Sequence, residues 1–494
     1  MHDETAVPAL AAGRPAARPS RLTAVLEENG TLVMVVAAFA VVLVTHLRTS
    51  LAADGWMALL SGREVAQHGL PSHDTLTVWA HGRRWVDQQW LAQLVLYELE
   101  RLGGLRLVML VHAALASAGL AGAAVLSRRL GASARSTTWV CVPVLVAFWP
   151  GAAVMRPQSF AYVLFVAVAW LLLDDLRAPS RRVYGVLPLL VVWANLHGSV
   201  VVGCALVSGY SLVELVAAFR GRSQVPRRRS LFLAAAPWAC VLASPYALSL
   251  PAYYREILFS SGFGSYVTEW APTTLTPESI PVYLLALGGI WLLGRAPAVV
   301  STFEKLAFAG LAVLAFDAVR NAVWLALFAV VVLPRLVDAL RAPVTEPRRL
   351  NRLLALAMLA GVVVATAGVA AKPVSWFTGR FPAAAADAAA TAAGNRGRVF
   401  ANERYADWLI WEHPQLAGRV AYDSRFELLS SRQLHSVTEF RNLVDGWRST
   451  LRGYPVLVLD RSDDARPREA LVQAKQARTI SAARDVVVLR RRTR

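Results

Sequence analysis

The sequence predicts a polytopic α-helical membrane protein of about eleven transmembrane helices, followed by a small extracytoplasmic α/β domain. Three observations carry this. Of 494 residues, 56% are hydrophobic and only 17% charged, too few charges to cover the surface of a soluble protein this size. Apolar runs of about 17 to 25 residues, long enough to cross a hydrocarbon core, recur along the first three quarters of the chain. Between these runs the arginines fall in clusters, as in cytoplasmic loops.

Taken in order, residues 1–30, rich in Ala, Pro and Arg, read as a disordered cytoplasmic tail. The first apolar run is too long for a signal-peptide core and lacks a clear cleavage site, so it reads as a retained helix. The predicted spans are 31–52, 105–127, 136–150, 158–175, 183–196, 199–218, 230–247, 280–294, 299–317, 321–340 and 353–371. With the N-terminus inside, the clusters Arg128 and Arg129, Arg177 to Arg182, Arg220 to Arg229 and Arg341 to Arg352 all land inside. The alternation leaves the C-terminus outside.

The outer segments differ in character from the inner ones. The first, 53–104, opens with helical spacing from Trp56 to Val65 and suits a helix lying on the membrane surface. Gly69, Pro71 and Ser72 break it, and Trp85 to Leu102 form a second amphipathic helix. Then come WPGAAVMRPQS around Arg156, the tight turn WANLHGS (193–199), a longer loop 244–279, and FDAVRN (316–321). From residue 372 to 494 polar residues return, and short β-rich runs alternate with helical ones, the pattern of a small α/β domain. The Ala-rich stretch 383–393 reads as a helix joining membrane and domain.

The net charge of +18 does not point to nucleic acid, because no basic cluster is interleaved with aromatics. Cys141, Cys204 and Cys240 all lie inside apolar runs, and no metal-ligand spacing exists. Neither interrupted helices in matching halves nor a fixed-period repeat marks a transporter.

Polar groups at membrane depth are functional candidates by default, and here they gather at the outer ends of spans. Asp54 closes the first span; it reads either as a general base toward a hydroxyl or as a helix-end charge meeting interfacial water. Asp74 and Asp87 are possible second acids or metal ligands. Asp74 reads equally as an N-cap at a helix start, and Asp87, between Trp85 and Trp90, as a loop brace. Arg156 and Arg320 offer forked donors suited to phosphate oxygens, or else snorkel to headgroups or pair with carboxylates. His197 lacks a second His or Cys at ligand spacing and reads as structural. Glu269, beside Trp270, either binds a sugar hydroxyl or packs its loop. Gln158, Asn195, Asp317 and Asn321 fall at the same face. In the C-terminal segment Asn402, Arg404, Asp423 and Arg425 match no motif and read as structural.

The stretch DGWMALLSGREVAQHGLPSHDTLTVWAHGRRWVDQQWLAQ, with MRPQSF, WANLHGS, ASPY and DAVRN after it, resembles the bacterial GT-C superfamily of membrane glycosyltransferases. Within it the protein mannosyltransferase-like and aminoarabinose transferase-like groups are nearest in layout. The resemblance covers 31–371. It implies a plasma-membrane enzyme that transfers a sugar, with inversion, from a polyprenyl-phosphate donor to an envelope acceptor on the outer face. That acceptor is a glycan, a lipid or a protein. By position Asp54 would be the base, and Arg156 and Arg320 would hold the departing lipid phosphate. Gln158, Asn195, His197 and Glu269 are the further candidates for substrate or phosphate binding. Gly55 and Trp56 follow Asp54 where many members have adjacent acids, which puts a divalent metal in doubt. The WWDYG motif of oligosaccharyltransferases is absent. The competing class is non-catalytic: a flippase or transporter of lipid-linked precursors, or a scaffold.

Overall fold

The computed structural model describes residues 21–259, 266–342 and 348–492. Residues 1–20 of the expected tail, and 260–265 of the longer outer loop, lie outside these. Each of the eleven expected runs overlaps a helix among the described residues: α1 (Arg21–Ser50), the second half of α3 (Trp90–Arg129), α4 (Ala134–Ala152), α5 (Gln158–Arg177), α6 (Val186–Leu196), α7 (Val200–Phe219), α8 (Arg227–Val241), α10 (Ile280–Arg295), α11 (Thr302–Asp317), α12 (Ala322–Ala339) and α13 (Arg348–Ala370). Between them lie α2 (Ala53–His68) and α9 (Leu250–Phe259). Among the described residues, six helices are long and apolar enough to cross a membrane, formed by α1, α3, α5, α7, α12 and α13.

Two boundaries correct the sequence reading. Residues 21–30 are helical rather than disordered, because they are tied to neighbours. Leu26 is buried, Glu27 pairs with Arg352 at 3.0 Å, and the Asn29 amide oxygen accepts from Arg128 Nε at 2.6 Å. The span drawn over 230–247 ends at Val241, and the loop after it contains α9.

α12 is the axis of the bundle. Its residues from Ala322 to Pro334 are all buried, which fits a helix apolar on every face and surrounded by others. α13 is the opposite case: it packs along α1 but leaves Val363 and Val364 about 70% exposed, an apolar face suited to lipid. α3 bends at Gly104, whose φ of +67° lies in the left-handed region that glycine adopts without steric cost. The bend separates the amphipathic helix of the first outer loop from the span that follows.

The chain after α13 carries α14 (Val374–Phe377), α15 (Ala383–Ala393), β1 (Val399–Ala401), α16 (Glu403–Glu412), α17 (Ser431–Asn442), β2 (Val456–Asp460), α18 (Ala465–Gln473), β3 (Ala477–Ala483) and β4 (Val486–Arg491). The sheet order is β1-β2-β4-β3, with β1 and β2 parallel and the other pairs antiparallel. The small buried face of α15, Ala385, Ala386, Ala389 and Ala393, lets it lie close on the sheet. The sheet also reaches back toward the bundle. Val420 bridges Val399, and Thr77 of the first outer loop bridges Val420, both in parallel. Backbone bonds from Val78 and Trp79 to the carbonyls of Val420 and Ala421, at 2.8 and 2.9 Å, complete that strip. Residues 77–79 of the loop 53–104 thereby extend the edge of the C-terminal sheet.

Candidate active site at the domain end of the bundle

The turn between α4 and α5 brings Arg156 to the centre of the site. Three contacts fix it: Met155 N–H donates to Ser50 O at 2.9 Å, Tyr162 Oη to Gly151 O at 2.8 Å, and His112 Nε2 to Ala152 O at 2.9 Å. Pro157 ends the turn and α5 starts behind it, with Ser159 Oγ donating to the Arg156 carbonyl at 2.9 Å. Gly55 lets this turn approach α2. A methyl group there would lie 2.8 Å from Leu51 and 3.1 Å from the Met155 terminal carbon. A side chain at this position would have to displace the ends of the Leu51 and Met155 side chains.

Arg156 lies between two carboxylates. Its Nη1 donates to Glu269 Oε2 at 2.7 Å and its Nη2 to Oε1, a two-pronged fork of the strong charge-assisted kind. On the other side Nε stands 2.9 Å from Asp54 Oδ2. That N–H does not aim at the oxygen, so the contact is a charge pair and not an aligned hydrogen bond. Asp54 stays 38% exposed while Arg156 is 17% exposed. Burial pushes the Glu269 carboxyl up, but the hydrogen bond and charge of Arg156, helped by Arg320, outweigh it and hold the group below its ordinary value.

Glu269 and Arg320 are held together by one corner. Thr273 N–H donates to Phe316 O at 3.0 Å and Val319 N–H to Ala271 O at 3.2 Å. The Arg320 guanidinium lies over the Trp270 ring at 4.3 Å from its centroid, and its charge couples to Glu269, Arg156 and Asp54. The four groups thus form a balanced set of two acids and two arginines at one end of the bundle.

The other candidates are placed differently. His197 is buried, its Nδ1 accepting from the Ser199 backbone N–H at 3.1 Å and lying 2.8 Å from Ser199 Oγ, which makes it a turn brace. Asn195 is also a brace: its oxygen accepts from Trp90 Nε1 at 2.9 Å and its amide donates to Val191 O and Ala243 O at 2.9 and 2.8 Å. Gln158 is buried in the first turn of α5, and Asp317 is exposed. Asp74 does not start a helix. It is fully buried, accepts from Thr77 N at 3.1 Å and Thr77 Oγ1 at 2.8 Å, and pairs with Arg425 at 2.6 Å.

That last pair is what the sequence did not show. Arg425, 2% exposed, also pairs with Asp423 and stacks on Trp85 at 4.3 Å, locking the sheet domain to the first outer loop. Arg83 Nη1 donates to Leu428 O at 2.8 Å beside it. Asp87, buried with an oxygen lacking a partner among the described residues, is pushed up to about 7 by burial, against the pull of Arg425. Burial likewise pushes Glu427 up to about 7, and its charge couples to Asp54. A single sequence gives no signal for contacts across such separations. Among the described residues no group of three or more His, Cys, Asp or Glu side chains is arranged to hold a metal ion.

No protein-family model and no curated protein sequence matches the chain. Its fold does match solved structures. ArnT from Cupriavidus metallidurans in the apo state aligns over 92% of this chain and 97% of its own, with a TM-score of 0.52 and 15% identity. The same protein bound to undecaprenyl phosphate aligns over 93% and 98%, with a TM-score of 0.52 and 16% identity. The archaeal oligosaccharyltransferase AglB from Archaeoglobus fulgidus, in complex with an inhibitory peptide and a dolichol-phosphate, aligns over 86% and 69%, with a TM-score of 0.54 and 12% identity. The fold implied by the sequence resemblance over 31–371 is the fold observed, and the small terminal sheet domain expected from the residues after it is present as well.

Proposed function

We propose that the protein is a membrane glycosyltransferase that moves a sugar from a polyprenyl-phosphate donor to an envelope acceptor. The observation that carries this is Arg156, held between Asp54 and Glu269 with Arg320 nearby, at the end of a bundle whose fold matches ArnT bound to undecaprenyl phosphate. Guanidinium forks suit phosphate oxygens. In this reading the donor phosphate takes over donors of Arg156 and loosens its hold on the carboxylates. Asp54, released, accepts the proton of the acceptor hydroxyl as that oxygen attacks the anomeric carbon and the bond to the lipid phosphate breaks. Arg156 and Arg320 stabilise the phosphate that leaves. Attack opposite the leaving group inverts the anomeric centre. The site faces outward, with the arginine clusters of the other end on the cytoplasmic side.

The test offers detergent-purified full chain a panel of radiolabelled polyprenyl-phosphate sugars with crude envelope acceptor. Movement of label into the acceptor supports the enzyme. A preparation that binds polyprenyl phosphate yet transfers from no donor favours the non-catalytic reading, a flippase or scaffold.

A further inference from the structure

A second basic pocket lies away from Arg156, where α1 and α13 leave the bundle toward the sheet domain. It has a volume of about 380 Å³ and is lined by Arg48, Thr49, Gly379, Arg380, Arg484 and Asp485. Three exposed arginines line it against one carboxylate, and none of the three has a salt-bridge or side-chain hydrogen-bond partner among the described residues. At the other end of the bundle the half-buried arginines Arg229 and Arg335 are each paired with a carboxylate.

Two details show that the pocket is a built feature. A methyl group at Gly379 would lie 2.6 Å from Arg484 Nη1, so a side chain there would push the end of that arginine aside. Arg484 sits at the tip of the two-residue turn joining β3 and β4, with φ of +52°. Turn chemistry favours Gly, Asn or Asp at such a position, so an arginine is there for its side chain and not for its backbone.

The depth of the pocket names the occupant. Arg48 is in the last turn of α1, and α14, which packs on that helix end, carries the exposed Val374 and the half-buried Trp376. A tryptophan at the end of a span marks the headgroup layer. Below it the lipid-facing surface of α13, with Leu359, Val363 and Val364 exposed, offers a path for acyl chains. We propose that Arg48, Arg380 and Arg484 bind the headgroup phosphate of an anionic phospholipid of the outer leaflet, and so fasten the sheet domain to the membrane surface beside the transfer site. The pocket is independent of whether that site transfers sugar.

Native mass spectrometry of the detergent-purified full chain, titrated with dioleoyl phosphatidylglycerol or dioleoyl phosphatidylcholine, tests this. Wild type is expected to retain the anionic lipid preferentially. Arg380→Gln/Arg484→Gln is expected to lose roughly 25-fold in its affinity, at about fivefold per arginine. Gly379→Ala, which displaces one guanidinium without breaking the fold, is expected to lose part of it, and Asp54→Asn none. Equal retention of the two lipids by wild type, or unchanged retention by the double variant, overturns the proposal. Displacement of the lipid by equimolar inorganic phosphate would mark a site for a soluble anion and overturn it also.

Discussion

At the end of the bundle away from the sheet domain, every carboxylate oxygen of three acids is engaged. Asp175 receives Ser180 N–H at 2.7 Å together with Tyr210 and Arg229. Glu304 closes a capping box with Ser301 and takes Arg335. Asp338 accepts from Ser133 N, Ser133 Oγ and Ser136 Oγ, each at 2.6 Å. At the domain end Asp54 meets, among the described residues, only Arg156, by one oxygen, and stays over a third exposed. A buried acid with all its partners closes a helix junction. An acid that shares one arginine with a second acid keeps capacity for a ligand. Acids of the same type do packing work at one end and are left available at the other.

Asp54→Asn should produce the largest contrast. Sugar transfer is expected to fall by about 10²- to 10⁴-fold, with the melting temperature unchanged because the pair it breaks is partly solvated. Arg425→Met comes next. It strands Asp74 and Asp423 in a buried interface, a loss of about 3–5 kcal/mol, read as protease sensitivity of the sheet domain and of residues 70–89. Arg156→Lys keeps the charge but loses the fork; donor affinity is expected to fall about 10- to 100-fold, measured by polyprenyl-phosphate binding.

The smallest effect is the pH dependence of the domain interface. Asp87 and Glu427 both stand at about 7 when folded, above their unfolded values, so the folded protein binds their protons more tightly. Their contribution is fully present below about pH 4 and is lost as pH rises through about 7. Asp87→Asn should flatten the fall in thermal stability across that window, with wild type showing the steeper slope.

Much of this architecture is legible in the residues. Each predicted apolar run overlaps a helix because span length is a local property, whereas the bend at Gly104 emerged only with the structure. The start of α1 was not legible, since the contacts of Glu27 with Arg352 and of Asn29 with Arg128 join distant segments. The same holds at the site. Asp54, Arg156 and Glu269 each stood out as charges at one face, yet their pairing depends on three loops meeting. Asn195 stood out equally and proved to be a brace, because sequence shows a polar group at membrane depth but not whether its neighbours already satisfy it. Arg425 looked unremarkable since its partner Asp74 is 351 residues away.

The most direct test compares the two ends in one assay: transfer from a radiolabelled polyprenyl-phosphate sugar by wild type, Asp54→Asn and Asp175→Asn. The account predicts that Asp54→Asn melts like wild type and transfers almost nothing, while Asp175→Asn melts lower and still transfers below its melting point. Equal transfer by wild type and Asp54→Asn would contradict it.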